Sequence, residues 1–180
     1  MPLLRRRLRR IDAHLPLALL GLLIARPTPL SIALGAVPVV LGIAIRVWAS
    51  GFLDKGGALC VAGPYRCVRH PLYLGSLLAA LGFVVMMNVI WAWVIILPAF
   101  LLLCALQLVA EERHLRSLYG DAHADFARSV PVLVPLPGKK ARGHGGRWEM
   151  ARSLHNREHY HVTATLLLAA LFFTKWRLGW

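Results

Sequence analysis

Four apolar runs occupy most of the first 110 residues and restrict the chain to one class of fold. They cover Leu15–Ala25, Pro29–Ala49, Leu72–Met87 and Val89–Ala110. The second and fourth runs have the roughly 20 residues that a helix needs to cross a bilayer. The joints at residues 26–29 and 87–88 are short, so each pair of runs is predicted to form an antiparallel helical hairpin. The predicted fold class is an all-α integral membrane protein, a helical bundle of four core transmembrane helices.

The first run has a second interpretation. An arginine-rich start followed by a short apolar stretch is also the pattern of a signal peptide. The small-residue cleavage pattern is poor, however, and Pro27 and Pro29 follow the run. These features favour a retained first span.

The chain combines an apolar composition with a strong positive charge. Its residues are 58% hydrophobic, yet its formal net charge is +13. The basic residues lie at the ends of the apolar runs, which favours loops at an anionic lipid surface over nucleic-acid binding. In a four-helix arrangement most of them fall on one side, and the opposite joints contain only Arg26. The positive-inside rule predicts a multi-pass protein whose N-terminus faces the cytoplasm.

Composition divides the chain into three parts. A membrane core at 1–136 precedes a basic cytosolic or interfacial segment at 137–160 and a C-terminal membrane segment at 161–180. Arg147–His159 is predicted to form a short helix on the membrane surface. Val162–Phe173 is apolar but short, and it is predicted to form a fifth membrane segment; a re-entrant or surface segment is the open alternative. No metal site is predicted, because His155, His159 and His161 resemble a metal cluster by count alone.

One loop between the runs is dense in residues with special chemistry. It reads Gly63-Pro64-Tyr65-Arg66-Cys67-Val68-Arg69-His70-Pro71-Leu72-Tyr73. Pro71 suits the first turn of a helix, so the third helix is predicted to begin near His70 with its free N–H groups facing the loop. Tyr65 and Tyr73 can present ring faces to a planar or cationic group. An interfacial belt of tyrosines and arginines is the structural alternative.

Two glutamates follow the fourth run and are predicted to end its helix. Gln107 lies one turn before Glu111 on the same face. An acidic residue at a helix C-terminus opposes the helix dipole, so Glu111 is predicted to have a functional role. Glu112 is predicted to be a solvated residue at the helix end.

Together, the loop and the pattern Glu-Glu-x-x-Leu at residues 111–115 resemble the isoprenylcysteine carboxyl methyltransferase family and its phospholipid N-methyltransferase relatives. The similarity covers roughly residues 50–136. It implies an all-helical membrane enzyme, here a prokaryotic member, that transfers a methyl group from S-adenosylmethionine to a lipophilic acceptor at the cytosolic face. The resemblance implies cofactor contacts by Gly57, Ala58, Leu59, Cys60, Tyr65, His70, Pro71, Leu72, Tyr73 and Glu111.

The chain also departs from the family pattern. His123 and Phe126 stand at positions where the family usually has tyrosine.

Two arginine positions differ as well. Gln107 and Ser129 stand where prenylcysteine enzymes are expected to have arginine, although Arg128 is adjacent. Gln107 and Arg128 are therefore the predicted substrate-binding residues. An amine or thiol acceptor has to lose a proton, and His114 and His123 are candidate bases, but no catalytic residue is assigned. The alternatives are a phospholipid N-methyltransferase and a non-catalytic membrane protein that retains the fold.

Overall fold

The computed structural model describes residues 16–54, 58–136 and 146–179, and over these ranges it contains helices and loops but no strand. The α-helices are α1 (16–24), α2 (Pro29–Ser50), α3 (Pro71–Met87), α4 (Leu97–Ser129), α5 (Met150–His155) and α6 (Glu158–Leu178). Two helical stretches are long and apolar enough to cross a membrane, Pro29–Ser50 and Ala92–Ser129. The all-helical prediction is confirmed for the described residues, while the number of spans stays a prediction.

The two short joints meet at one end of the bundle. Thr28 and Ser31 cap α2 reciprocally, because each side chain accepts a hydrogen bond from the other residue's backbone N–H. Asn88 ends α3 in the left-handed conformation, with φ 50°. The Arg26 N–H donates to the Met87 carbonyl at 2.8 Å, and the Asn88 amide donates to the Arg26 carbonyl at 3.1 Å. We call this end the joint end.

Glycines allow α2 and α3 to pack with their backbones almost in contact. A Cβ added to Gly35 would lie 2.4 Å from the Gly82 carbonyl oxygen, and one added to Gly42 would lie 2.4 Å from that of Gly75. The pairs run in opposite sequence directions, so the helices are antiparallel. Small residues at such crossings are typical of helix packing in membranes.

The fourth helix is much longer than the sequence predicted. It begins with π-type turns at Ala92–Ile96, just before Pro98, which cannot donate to a carbonyl in the preceding turn. It then continues as α4 to Ser129, with non-helical angles at Gly120 (φ 50°, ψ −122°). The prediction that Glu111 and Glu112 end this helix is therefore wrong. The apolar pattern stops there, but the helical backbone continues into the polar region.

The C-terminal part also differs from its prediction. Instead of one helix at Arg147–His159, the chain forms α5, turns at Asn156 and Arg157, and begins α6 at Glu158. Val162–Phe173 lies inside α6, which is 21 residues long. At its start Glu158 pairs with Arg46 near the end of α2, and near its end Lys175 donates to two carbonyls of α1. This helix therefore runs from the opposite end of the bundle to the joint end.

Replacing Gly42 with alanine is expected to destabilise the bundle. The new Cβ would meet the Gly75 carbonyl oxygen and the Ala79 backbone nitrogen, and these backbone groups can yield only if the helices separate. Overpacking of this kind costs roughly 1–3 kcal/mol. Thermal unfolding of the purified protein in detergent measures the loss.

Gly21→Ala is the matched control for this prediction. Its Cβ would meet only the flexible end of the Met87 side chain, so the variant should keep nearly the stability of the parent. Equal destabilisation in the two variants would contradict the role given to the backbone contact.

Candidate functional site

The loop between α2 and α3 folds into a tight turn at the end of the bundle opposite the joints. Residues Gly63–Arg66 form a single 3-10 turn in which Pro64 and Tyr65 are buried. Gly63 has φ +54°, and an added Cβ would lie 2.5 Å from the Phe52 ring. Both the backbone conformation and the available space therefore require glycine here.

Backbone hydrogen bonds attach this loop to the segment that follows α4. The Arg69 N–H donates to the Pro131 carbonyl at 2.9 Å, and the His70 N–H donates to the Val132 carbonyl at 3.1 Å. The change of direction at Gly120 lets the end of α4 return to the loop, and its angles are ones that only glycine adopts readily. α3 begins directly after this contact, with His70 as its N-cap and Pro71 as its first residue, as predicted.

Glu112 lies at the centre of the charged groups in this region. Its Oε1 atom is 2.5 Å from Nε2 of His70, and its Oε2 atom is paired with the Arg69 guanidinium. Nε2 of His123, which follows the bend in α4, is 3.7 Å from Oε2. The prediction that Glu112 is a solvated residue at a helix end is wrong, because α4 continues past it and the loop packs over its side chain.

The surroundings of Glu112 shift two pKa values. Partial burial raises the pKa of Glu112, but the His70 hydrogen bond and the Arg69 charge outweigh burial, so the net pKa lies below the ordinary value. Burial lowers the pKa of His123, and the nearby Glu112 only partly opposes that shift. Glu112 is therefore ionised at neutral pH, and His123 is neutral.

Glu111 contacts the same loop through a different partner. The Tyr73 hydroxyl donates to its Oε2 atom at 2.8 Å. Tyr73 lies in the first turn of α3, and its ring is edge-on to His70 with centroids 5.8 Å apart. The structure thus brings together Glu111, His70 and Tyr73, three of the predicted cofactor residues.

An open cavity of about 520 Å³ lies between the beginning of the loop and the second half of α4. Its lining comprises Ala58, Leu59, Val61, Tyr119, Ala122, Asp125, Phe126 and Ser129. Two predicted cofactor residues, Ala58 and Leu59, therefore share a cavity with two positions that depart from the family pattern. The volume of this cavity lies in the range of small-molecule sites.

The remaining predicted residues have different environments. Gly57 lies outside the described residues. Cys60 is half-buried, and its thiol is 3.3 Å from the Phe52 carbonyl. Pro71 is fully buried, while Leu72 is half-buried and offers its carbonyl to Arg46 at 3.1 Å.

The two predicted substrate residues lie on α4. Gln107 is half-buried one turn before Glu111. Arg128 is largely exposed and pairs with Asp125 at 2.8 Å. Of the candidate bases, His123 is buried and His114 is exposed. The substrate roles of Gln107 and Arg128 stay predictions.

Two buried donors next to these groups have no hydrogen-bond partner in the described part of the chain. They are the Tyr65 hydroxyl and Nε of Arg69. Burial raises the pKa of Tyr65 far above its ordinary value, so the phenol remains a donor. Unsatisfied buried donors are costly, and these two fit a bound molecule that carries acceptor atoms, such as the carboxylate and ribose oxygens of S-adenosylmethionine.

Two residues of this region, Arg46 and Glu158, were not singled out by the sequence. Arg69 and Glu112 belong to the quoted motifs, but their pairing was not predicted. Arg46 offered a signal, because a lone arginine inside an apolar run is costly and needs a partner. Among the residues that the structure describes, no group of three or more His, Cys, Asp or Glu side chains is arranged to hold a metal ion.

Comparison with known proteins places this site in a family. A sequence model described as phospholipid methyltransferase matches residues 30–122, just over half of the chain. The chain belongs to the phospholipid methyltransferase family. The matched range contains the loop, both glutamates and the helices that hold them. The family resemblance predicted from those motifs is confirmed.

Relatives within and around this family have diverse names. The cobalt-zinc-cadmium resistance protein CzcN of Cupriavidus metallidurans is 32% identical over 110 residues, which are 60% of this chain and 50% of that protein. Methanethiol S-methyltransferase of Crocosphaera subtropica is 35% identical over 86 residues, 43% of this chain and 29% of that protein. Protein-S-isoprenylcysteine O-methyltransferase of Schizosaccharomyces pombe is 28% identical over 83 residues, 46% of this chain and 35% of that protein.

The chain spans half or less of the length of these relatives. No solved structure matches it significantly. Family membership and the two apolar helices together support a membrane methyltransferase.

His123→Phe is expected to reduce the pH dependence of stability on the acid side of neutrality. Because the pKa of His123 in the folded protein lies below the unfolded value of 6.5, the unfolded chain takes up the proton first. His123 therefore makes its full contribution to the free energy of unfolding above pH 6.5. This contribution is lost as the pH falls, by up to about 1.4 kcal/mol per pH unit. Thermal unfolding in detergent at a series of pH values measures this slope.

His114→Asn serves as the comparison, because His114 is exposed on the same helix. It should retain the slope of the parent protein. A slope that is unchanged in His123→Phe would show that another group titrates.

Proposed function

We propose that this protein is an S-adenosylmethionine-dependent methyltransferase that acts on a lipophilic acceptor at the cytosolic face of a membrane, in the manner of the isoprenylcysteine carboxyl methyltransferases. One observation carries the proposal. The loop at 63–73 is held against α4 where the apolar part of that helix ends, through the contacts of Tyr73 with Glu111 and of His70 with Glu112. These residues belong to the motifs that identify the family.

The residues proposed to hold the cofactor come from three places. They are the beginning of the loop (57–60), the turn and first helical residues (Tyr65, His70, Pro71, Leu72 and Tyr73), and Glu111 on α4. S-Adenosylmethionine supplies a methyl group that its positive sulfur already activates. The carboxylate of Glu111 can accept ribose hydroxyl groups or face a positive charge. The Tyr65 hydroxyl is a buried donor that a bound acceptor atom would satisfy.

The role of the protein in this reaction is to position the methyl donor and the acceptor and to exclude water from the site. His70, Pro71 and Tyr65 are buried, and the backbone bonds to residues 131 and 132 fix the loop on its far side. Fixed groups of this kind hold an acceptor and a methyl donor in line and keep water out, which lowers the entropic part of the barrier.

The acceptor is proposed to be a lipid-soluble amine or thiol, or a carboxylate held in an unusual way. Ser129 lines the cavity, where a prenylcysteine enzyme is expected to have arginine. Arg128, one residue earlier, points to solvent and pairs with Asp125. Neither serine nor Gln107 reproduces the two-pronged bond of arginine to a carboxylate. A phospholipid amine is therefore the second candidate acceptor, in keeping with the family model.

A non-catalytic role is the alternative from another functional class. CzcN and the nickel-cobalt-cadmium resistance protein NccN of Alcaligenes xylosoxydans, which is 28% identical over 106 residues, carry names that refer to metal resistance. A protein that retains the fold without catalysis would not need to bind S-adenosylmethionine. Cofactor binding by the purified protein separates this alternative from both enzymatic ones.

Cofactor affinity is expected to depend on Glu111. Glu111→Ala removes an acceptor of charge-assisted hydrogen bonds, which should cost roughly 1.5–3 kcal/mol, or about ten- to a hundredfold in Kd. Titration calorimetry with S-adenosylmethionine measures the change. Asp121→Asn is the control, because Asp121 is exposed farther along the same helix. Parent-like affinity in Glu111→Ala would refute the assignment of this residue.

The acceptor class is tested by labelling. Membranes that contain the protein are incubated with methyl-labelled S-adenosylmethionine and, separately, phosphatidylethanolamine, a lipophilic thiol or a farnesylated cysteine mimic. Transfer to the amine or the thiol is expected, with poor transfer to the cysteine mimic. Efficient methylation of the cysteine mimic that is lost in Arg128→Ala would show that Arg128 binds the carboxylate after all.

A further inference from the structure

The C-terminal segment is bonded to the end of α2 by buried polar groups. The Asn156 side-chain amide donates to the Ser50 carbonyl at 2.9 Å and to the Leu53 carbonyl at 2.7 Å. The Ser153 and Ser50 hydroxyls lie 2.7 Å apart. Ser50, Ser153 and Asn156 are each less than 10% exposed. The last carbonyls of a helix have no partner within it, so these side chains replace the water that would otherwise bind there.

The same segment also packs against both ends of the loop that follows α2. The Trp148 indole donates to the Val47 carbonyl at 3.4 Å, and a Cβ added to Gly51 would lie 2.1 Å from its nitrogen. At the other end of the loop, a Cβ added to Gly146 would lie 2.8 Å from the Cβ of Ala62. The segment thus touches the loop just after it leaves α2 and again just before the turn at 63–66.

A buried ion pair extends this attachment to α3. The Arg46 guanidinium forms two bonds to the Glu158 carboxylate, at 2.6 and 3.0 Å, and Glu158 is 3% exposed. The same guanidinium donates to the Leu72 carbonyl at 3.1 Å and to the Ser76 hydroxyl at 2.6 Å. Arg46 therefore links the start of α6 to the first turns of α3.

We propose that residues 146–158 form a positioning clamp that holds residues 51–54 and 58–62 of the loop and the first turn of α3 in the geometry that binds the methyl donor. Asn156 and Glu158 are its positioning residues, acting through Ser50 and Arg46. The inference rests on the proposed function, because the loop and the first turn carry the proposed cofactor contacts. Residues 146–158 lie outside the family-matched range of 30–122.

The chain contains its own reporter for this clamp. Cys60 lies in the loop and is half-buried with its thiol on the Phe52 carbonyl, whereas Cys104 is buried on α4 away from the clamp. Burial also raises the pKa of Cys60, which keeps its reactive thiolate scarce. Release of the loop should expose the thiol and speed its labelling, and this readout needs neither cofactor nor acceptor.

The experiment compares Asn156→Ala and Glu158→Gln in the full chain carrying Cys67→Ser. Labelling by a maleimide in membranes, without cofactor, is followed separately at Cys60 and Cys104. Each variant is expected to speed labelling of Cys60 about tenfold, the equivalent of one lost buried hydrogen bond, without a change at Cys104. KM for S-adenosylmethionine should rise by a similar factor, while kcat stays within about twofold of the parent value. This pattern is expected because the variants weaken binding of the ground state and of the transition state equally.

Glu149→Gln is the matched control. Glu149 precedes α5 in the same segment, and its side chain forms a partly exposed ion pair with Arg152 at 3.1 Å. This variant should label at the rate of the parent. Unchanged Cys60 labelling in both clamp variants would overturn the proposal, and so would a parallel rise at Cys104, which indicates general unfolding.

The positioning role and the proposed function are refuted by different results. If Cys60 labelling rises in the clamp variants while KM stays at the parent value, the loop is held but cofactor binding does not depend on it, and the positioning role is refuted. If the parent protein transfers no methyl group and does not bind S-adenosylmethionine, the proposed function fails instead, and the positioning role fails with it.

Discussion

The close contact between α2 and α3 is the constraint on which the candidate site depends. Gly35 faces Gly82 and Gly42 faces Gly75, so the two backbones meet at two levels and neither helix can slide without a collision. In lipid, helices gain little hydrophobic energy from meeting, and close packing supplies much of their attraction. The fixed register brings the end of α2 beside the start of α3, where Arg46 reaches the carbonyl of Leu72. The connecting loop therefore begins and ends at neighbouring points.

Charged groups at this end of the bundle follow the rule that a carboxylate removed from water needs partners. Glu112 has Arg69 and His70, and Glu158 has Arg46. Glu111 differs from both, because the hydroxyl group that donates to it carries no balancing charge. A cationic or polyhydroxyl ligand would complete its surroundings. The contrast supports separate roles for the adjacent glutamates: Glu112 holds the loop, and Glu111 is proposed to face the ligand.

The sequence predicted those parts of the fold that are encoded locally. Pro71 starts α3, and the short joint at Asn88 ends it, because each acts within one helical turn. The continuation of α4 past Glu111 was missed, since a helix that leaves the bilayer loses its apolar pattern but keeps its hydrogen bonds. The partners of Glu112 and Arg46 were missed for another reason. They are 42 and 112 residues distant in the chain. A single sequence can show that Arg46 needs a partner, but it does not show which residue that partner is.

The bend at Gly120 gives the second half of α4 two distinct surfaces. One surface carries His123 towards Glu112, and the other presents Phe126 and Ser129 to the cavity. The family is expected to have tyrosines at the first two of these positions and arginine at the third. All three departures thus fall on the part of α4 that lies beyond the shared glutamates. The loop and both glutamates lie within the family-matched range, while the acceptor is proposed to meet the surface that carries Phe126 and Ser129. This division supports the proposal that the acceptor differs from that of the prenylcysteine enzymes while the methyl donor is the same.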